Sequence, residues 1–164
     1  MNNKHILRQT DLENEITKLE ETLKIKKQQL EKLRLVNENG KYVLISTGEI
    51  SELNLEIPQD TWEKAIKQNN TFKTRKDAEK ERNRRELLYE FNQFKNERNN
   101  GWLPDWGNFN TSKYFIAVDS EGCLKDMSMY CTSCFVQFGY FRNWADCMEA
   151  IEKFGDRIKE LYID

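Results

Sequence analysis

Between Asp11 and Leu35 apolar side chains recur at Leu12, Ile16, Leu19, Leu23, Leu30 and Leu33, with gaps that alternate four and three. Lys26 fills the one remaining position of that series. Such a period of 3.5 residues is the seam of a coiled coil, with Leu12, Leu19, Lys26 and Leu33 at d and Ile16, Leu23 and Leu30 at a. The segment lacks Gly and Pro and is built mostly of good helix formers. Thr10 or Asp11 is the expected N-cap, and Asn39-Gly40 the stop. Its first half carries Asp11, Glu13, Glu15, Glu20 and Glu21; its second half carries Lys24, Lys26, Lys27, Lys32 and Arg34. An antiparallel pair that sets Leu23 against Lys26 of a second copy also sets Glu13 against Arg34 and Glu20 against Lys27, whereas a parallel pair brings Glu15 beside Glu20. The seam therefore predicts an antiparallel homodimer. The competing expectation is an ordinary amphipathic helix packed on the protein's own body.

After Gly40 the pattern changes twice, in the same way. Lys41–Ile45 followed by Thr47-Gly48-Glu49-Ile50 reads as a hairpin, and Lys113–Val118 followed by Ser120-Glu121-Gly122-Cys123-Leu124 repeats that plan. Further on, Phe72, Asp77 and Ala78 align with Phe141, Asp146 and Cys147. In each copy an aromatic ends a strand, Thr74 or Asn143 caps a helix, and a small residue lets that helix approach the sheet. Pro58–Trp62 predicts a turn into a short helix, and residues 75–97 a long one with Leu87, Leu88, Phe91 and Phe94 as its core face. The fold class is thus α+β: an N-terminal coiled-coil-like helix (1–38), then two strand–strand–helix repeats with small antiparallel sheets (40–98 and 113–164), joined by a Trp/Pro connector (99–112).

Aromatic residues number 9 Phe, 6 Tyr and 4 Trp, almost all after residue 60, which places the core in the second half. Mean hydropathy is −0.87 with 33% charged residues, as expected where part of the chain is a solvated helix. A net charge of −2 leaves no global cationic field for nucleic acid. No apolar run approaches the ~20 residues of a membrane span, nor do the first residues form a signal peptide, so the expectation is a soluble cytoplasmic protein.

Candidate chemistry is sparse. Cys131-Thr132-Ser133-Cys134 is a CxxC, and with Cys123 and Cys147 it offers four thiols for zinc. Against that, the pair interrupts a β-like run from Met127 to Phe138, there is no second CxxC, and Cys147 aligns with Ala78. Packed thiols are the expectation, with no metal and no cofactor. Arg82, Arg84 and Arg85 form the densest basic stretch, yet Glu79, Glu81, Glu86 and Glu90 interleave, which favours a solvated helix face over phosphate binding. Trp102 and Trp106 are either exposed anchors for a partner or plugs for a small sheet, and the second use is expected. His5 is the single histidine and sits in an N-terminal segment expected to be loose; no phosphate loop, nucleophile elbow or HExxH occurs. An enzyme is not expected.

Three segments carry a resemblance. Phe72-Lys73-Thr74-Arg75-Lys76-Asp77-Ala78-Glu79, Gly101-Trp102-Leu103-Pro104-Asp105-Trp106 with Lys113-Tyr114-Phe115, and Tyr140-Phe141 through Phe154-Gly155-Asp156-Arg157-Ile158-Lys159-Glu160-Leu161-Tyr162 resemble a module of small uncharacterised proteins from phages and prophages of Firmicutes. The resemblance spans about residues 70–164. It implies an accessory protein, in the cytoplasm of a bacterial host, that binds and inhibits or redirects a host protein, including defence machinery such as CRISPR effectors. The rivals are a nucleic-acid-binding regulator using Arg82, Arg84 and Arg85, and a structural phage component.

Overall fold

The structure, a computed structural model, describes residues 3–52, 57–130 and 135–163, without the side chains of residues 3–10 and 59. The order of elements is α1 (Asn3–Asn39), β1 (Tyr42–Leu44), β2 (Ile50–Glu52), α2 (Gln59–Lys67), β3 (Thr71–Phe72), α3 (Arg75–Asn99), β4 (Lys113–Val118), β5 (Leu124–Met129) and α4 (Trp144–Ile158), closed by a π-helical turn at Lys159–Ile163. This is the α+β arrangement that the pattern predicts. The chain divides into two compact units, residues 1–79 and 80–164. The division falls inside α3, not at the 98/99 boundary read from the repeat, because Leu87, Phe91 and Phe94 of α3 belong to the second unit's core.

In the first unit α1 starts seven residues or more before the expected cap, so Thr10 and Asp11 lie inside the helix, and so does the backbone of His5. Nothing in Asn3–Gln9 breaks a helix: it contains no Gly or Pro. The stop is where it was expected. Gly40 takes φ +104°, and its N–H donates to Val36 O at 2.9 Å. β1 then forms the centre of a sheet ordered β2-β1-β3, antiparallel throughout, with Tyr42 opposite both Glu52 and Phe72. Leu44 and Trp62 are each 2% exposed and form the buried centre of this small unit with Ala65.

In the second unit β4 and β5 pair from Lys113↔Met129 to Val118↔Leu124. Tyr114, Ile116 and Leu124 turn one face of this hairpin onto Leu87, Phe91, Phe94, Phe138, Phe141 and Phe154. Phe91 is the hub: its ring centroid lies 4.6 Å from Phe138, 5.8 Å from Phe141 and 5.2 Å from Phe154. The strand expected over Met127–Phe138 ends at Met129; residues 131–134 lie outside the described part, and residues 135–138 are not extended strand. There the chain turns inward, so that Phe138 is buried and its carbonyl accepts from Lys95 Nζ at 2.8 Å.

The two units repeat one local plan. Tyr42 pairs antiparallel with Phe72, and Tyr114 with Phe141 through Tyr114 N→Phe141 O (3.0 Å) and Phe141 N→Tyr114 O (2.7 Å). Ala78 and Cys147, the small residues of the alignment, are both 0% exposed. Helix entry differs. Thr74 Oγ1 accepts from the N–H of Asp77 at 3.1 Å while its hydroxyl donates to Asp77 Oδ2 at 2.7 Å. Asn143 makes no such cap; its amide donates to Asp146 Oδ2 at 3.0 Å instead. A hydroxyl can donate and accept through one atom, whereas Asn143 commits its NH₂ to the carboxylate.

Candidate docking surface

The heptad positions of α1 are bare. Leu12, Ile16, Leu19, Leu23, Leu30 and Leu33 are 49–62% exposed. Within residues 1–79 they are not packed on the rest of their own unit. That unit is held by other positions of α1. Leu35 and Val36 are half-buried, and Lys32 Nζ donates to Ile57 O at 3.0 Å. At 100° per residue, positions 32, 35 and 39 point about 145–175° away from the mean direction of the seam, and position 36 about 115°. The last turns of the helix, from Gln29 to Asn39, are therefore held by their unit away from the seam, while residues 11–28 are exposed on every side, the seam included. Six large aliphatic side chains in a stripe broken once by Lys26, flanked by charges, have the composition of a protein contact rather than of a solvated surface.

The basic stretch on α3 is already engaged. Arg85 Nε donates to Glu81 Oε1 at 2.9 Å, and Arg82 lies 3.8 Å from Glu86. Arg84 donates through Nε to Leu161 O at 2.6 Å and stacks over the Tyr162 ring, pinning the C-terminal turn onto α3. Each guanidinium thus faces a glutamate or a carbonyl, as the interleaved sequence implied, and none is presented as a row of open phosphate contacts.

The connector covers the outer face of the β4–β5 hairpin. Trp106 meets Tyr140 edge-on at 4.9 Å, and Tyr140 meets Phe115 at 5.7 Å. Lys113, 0% exposed, donates from Nζ to Asn108 O (2.8 Å) and Tyr130 O (2.6 Å) and sits 5.5 Å from the Trp106 ring centroid. Trp106 is accordingly a plug, and Trp102 is half-buried beside it in the sequence. The outward apolar groups here are Leu103 (80% exposed) and Phe109; nothing in a loop's sequence distinguishes an inward ring from an outward one. Replacing Lys113 by Met is expected to lower stability by about 2–4 kcal/mol, since two carbonyls lose their donor. A urea titration checks this, and an unchanged midpoint would show that the lysine holds nothing.

Of the four cysteines, Cys131 and Cys134 lie outside the described residues. Cys123 is exposed and Cys147 is buried in the aromatic core, where burial pushes its thiol up to about 12. It is therefore neutral at ordinary pH and a poor metal ligand. Among the described residues, Asp119, Glu121 and Cys123 do converge, but Asp119 Oδ1 accepts from the N–H groups of Glu121 and Cys123 and its other oxygen pairs with Lys125. That hairpin turn is a closed set. Alkylation at pH 7.5 followed by peptide mass mapping is expected to modify Cys123 while leaving Cys147 untouched; equal labelling would contradict the burial.

Among the described residues no helix is long and apolar enough to cross a membrane. No family model, no curated protein and no solved structure matches this chain.

Proposed function

We propose that the chain is a non-catalytic binding protein of the kind mobile elements carry, which engages a host protein, inhibiting or redirecting it, with the seam of α1 as the part built for protein contact. The observation that carries this reading is the open apolar stripe from Leu12 to Leu33 on a helix whose last turns are already anchored away from it. Leaving that stripe in water forfeits the burial free energy of six large side chains, at about 1.5–3 kcal/mol apiece when fully covered. The resemblance of residues 70–164 to a phage and prophage module supports the choice of a host protein, and of defence machinery within that class. The nucleic-acid alternative draws less support, because Arg82, Arg84 and Arg85 are matched by Glu86, Leu161 O and Glu81 in turn.

The test is capture from a nuclease-treated bacterial lysate on wild-type protein and on Leu19→Glu/Leu30→Glu. A protein retained by the wild type and lost from the variant is expected. Retention that disappears on nuclease treatment, or on charge reversal of the three arginines with the seam intact, would replace this reading by the nucleic-acid one.

A further inference from the structure

Resting on the reading of the seam as a protein contact, we infer that its occupant is a second copy of this chain, paired antiparallel in one register, so that the host protein is engaged by the paired chain and not by the seam itself. Lys26 decides the orientation first. In a parallel two-stranded coil like positions face each other, so Lys26 would meet Lys26 of the partner inside the apolar seam, and Glu15 would approach Glu20 across it. In an antiparallel coil a faces d. The register centred between residues 24 and 25 sets Leu23 against Lys26, Leu19 against Leu30, and Ile16 against Leu33, each contact occurring twice. Lys26 then lays its aliphatic stem along Leu23 and carries its ammonium out to water.

The flanking charges choose the same register independently. Position e faces e in an antiparallel pair, which brings Glu13 to Arg34 and Glu20 to Lys27, again twice each. These four exposed pairs select the alignment; the leucines supply the affinity. A shift of one heptad would set Lys26 against another apolar set and pull the acidic and basic halves out of opposition. A host helix of unrelated sequence would have to reproduce this charge gradient in reverse, which the chain already does for itself.

The anchored side of α1 is compatible with the pairing. Lys32 at c and Leu35 at f hold the sheet-bearing unit on the side away from the seam, with Val36 at its flank, so both contacts form together. In this register the two Asn39 ends lie about 45 Å apart along the coil. Each enters its own three-stranded sheet, so the dimer presents two of these sheets at opposite ends of the coil. That spacing gives bivalent engagement of a repeated or dimeric target, and with it avidity beyond one contact.

The test uses full-length chains carrying single substitutions. Ile16→Cys and Leu33→Cys are oxidised separately and as a mixture, with the wild type as background for its own thiols. Cross-linking in the mixture alone is expected, between residue 16 of one chain and residue 33 of the other. Cross-linking within either variant alone indicates the parallel arrangement and overturns the inference, as does absence of any cross-link while circular dichroism shows α1 intact. Two further variants guard against loss of structure. Lys26→Leu is expected to tighten association by about tenfold or more, and Leu30→Glu, facing Leu19, to weaken it by at least about 100-fold. Leu23→Glu, facing Lys26, is expected to weaken it less than Leu30→Glu; the reverse ranking overturns the register. A wild-type monomer that still loses its host protein on Leu19→Glu/Leu30→Glu substitution would defeat the second copy as occupant and leave the docking function standing.

Discussion

Phe91→Ala is expected to lower the stability of residues 80–164 by about 3–5 kcal/mol, the cost of truncating a fully buried ring. Phe91 is 0% exposed and stands at the junction of the three elements that build this unit. It touches Phe138 from the segment after the hairpin, Phe141 from the bridge to β4, and Phe154 from α4. Removing the ring leaves those three facing a void that α3 cannot close by moving, because Arg84 to Leu161, Lys95 to Phe138 and Asn99 to Tyr140 tie it along its length. For a unit of this size the thermal midpoint should fall by more than about 12 °C. Phe94→Ala, at the edge of the same cluster and partly covered by Lys153, should cost less. A midpoint that barely moves for Phe91→Ala would mean the rings do not form one core.

Gly40→Ala is the second large effect, and it acts on the first unit. A methyl group there would lie 2.3 Å from the carbonyl carbon and oxygen of Phe72 and 2.6 Å from the nitrogen of Lys73, all backbone atoms of the strand next to β1. The φ of +104° adds strain for any other residue. Relief requires β3 to move away from β1, which dismantles the Tyr42↔Phe72 pairing in a sheet whose third strand has only two residues. A loss of about 3 kcal/mol or more is expected. Gly48→Ala is the control: its φ is +86°, yet no atom lies within 4 Å, so only the backbone term of about 1–2 kcal/mol applies. Limited proteolysis reads both variants, with early cleavage between residues 40 and 75 expected for Gly40→Ala only. Equal resistance of the two would show that the close approach of Gly40 to Phe72 carries no weight.

Much of this architecture could be read from residue patterns because its determinants are local. The hairpins, the stop at Asn39-Gly40 and the break at Asn100-Gly101 follow from turn chemistry, and Asn100 and Gly101 do adopt positive φ. The duplication was visible because each copy needs an aromatic at the strand end and a small residue one turn into the helix, a requirement that Phe72 with Ala78 and Phe141 with Cys147 both meet. What the pattern concealed was long-range. That α3 passes from one unit into the other depends on Phe91 finding Phe138 and Phe154, and no local period encodes a contact across sixty residues. The end of β5 at Met129 was likewise masked by an apolar run, since inward-turning Phe138 and outward-facing Phe135 look alike in sequence. For the candidate surface the heptad itself was plain. Its openness was not, because a seam that packs on its own body and one that awaits a partner share the same spacing. Within its own unit the half-buried Leu35 and Lys32, away from the seam, show that the sheet is not what covers the leucines.

Lys113 illustrates how one alignment position acquires two roles. Its counterpart Lys41 is exposed and pairs with Glu52, which holds the Lys41 ammonium above its usual range. Lys113 has instead been covered by the connector and uses carbonyls and the face of Trp106. The difference follows from the thirteen residues between α3 and β4, 100–112, which fold over the second hairpin.

The most direct test of the seam is the mass of the full chain by sedimentation equilibrium across a hundredfold range of concentration, run beside Leu30→Glu. The subunit mass is 19.7 kDa. The expected result is a wild type that rises to twice that mass with increasing concentration while Leu30→Glu stays at the subunit value throughout. A wild type that remains at the subunit mass at the highest concentration, or a Leu30→Glu that dimerises as well as the wild type, would contradict the assignment of α1 as a self-pairing helix.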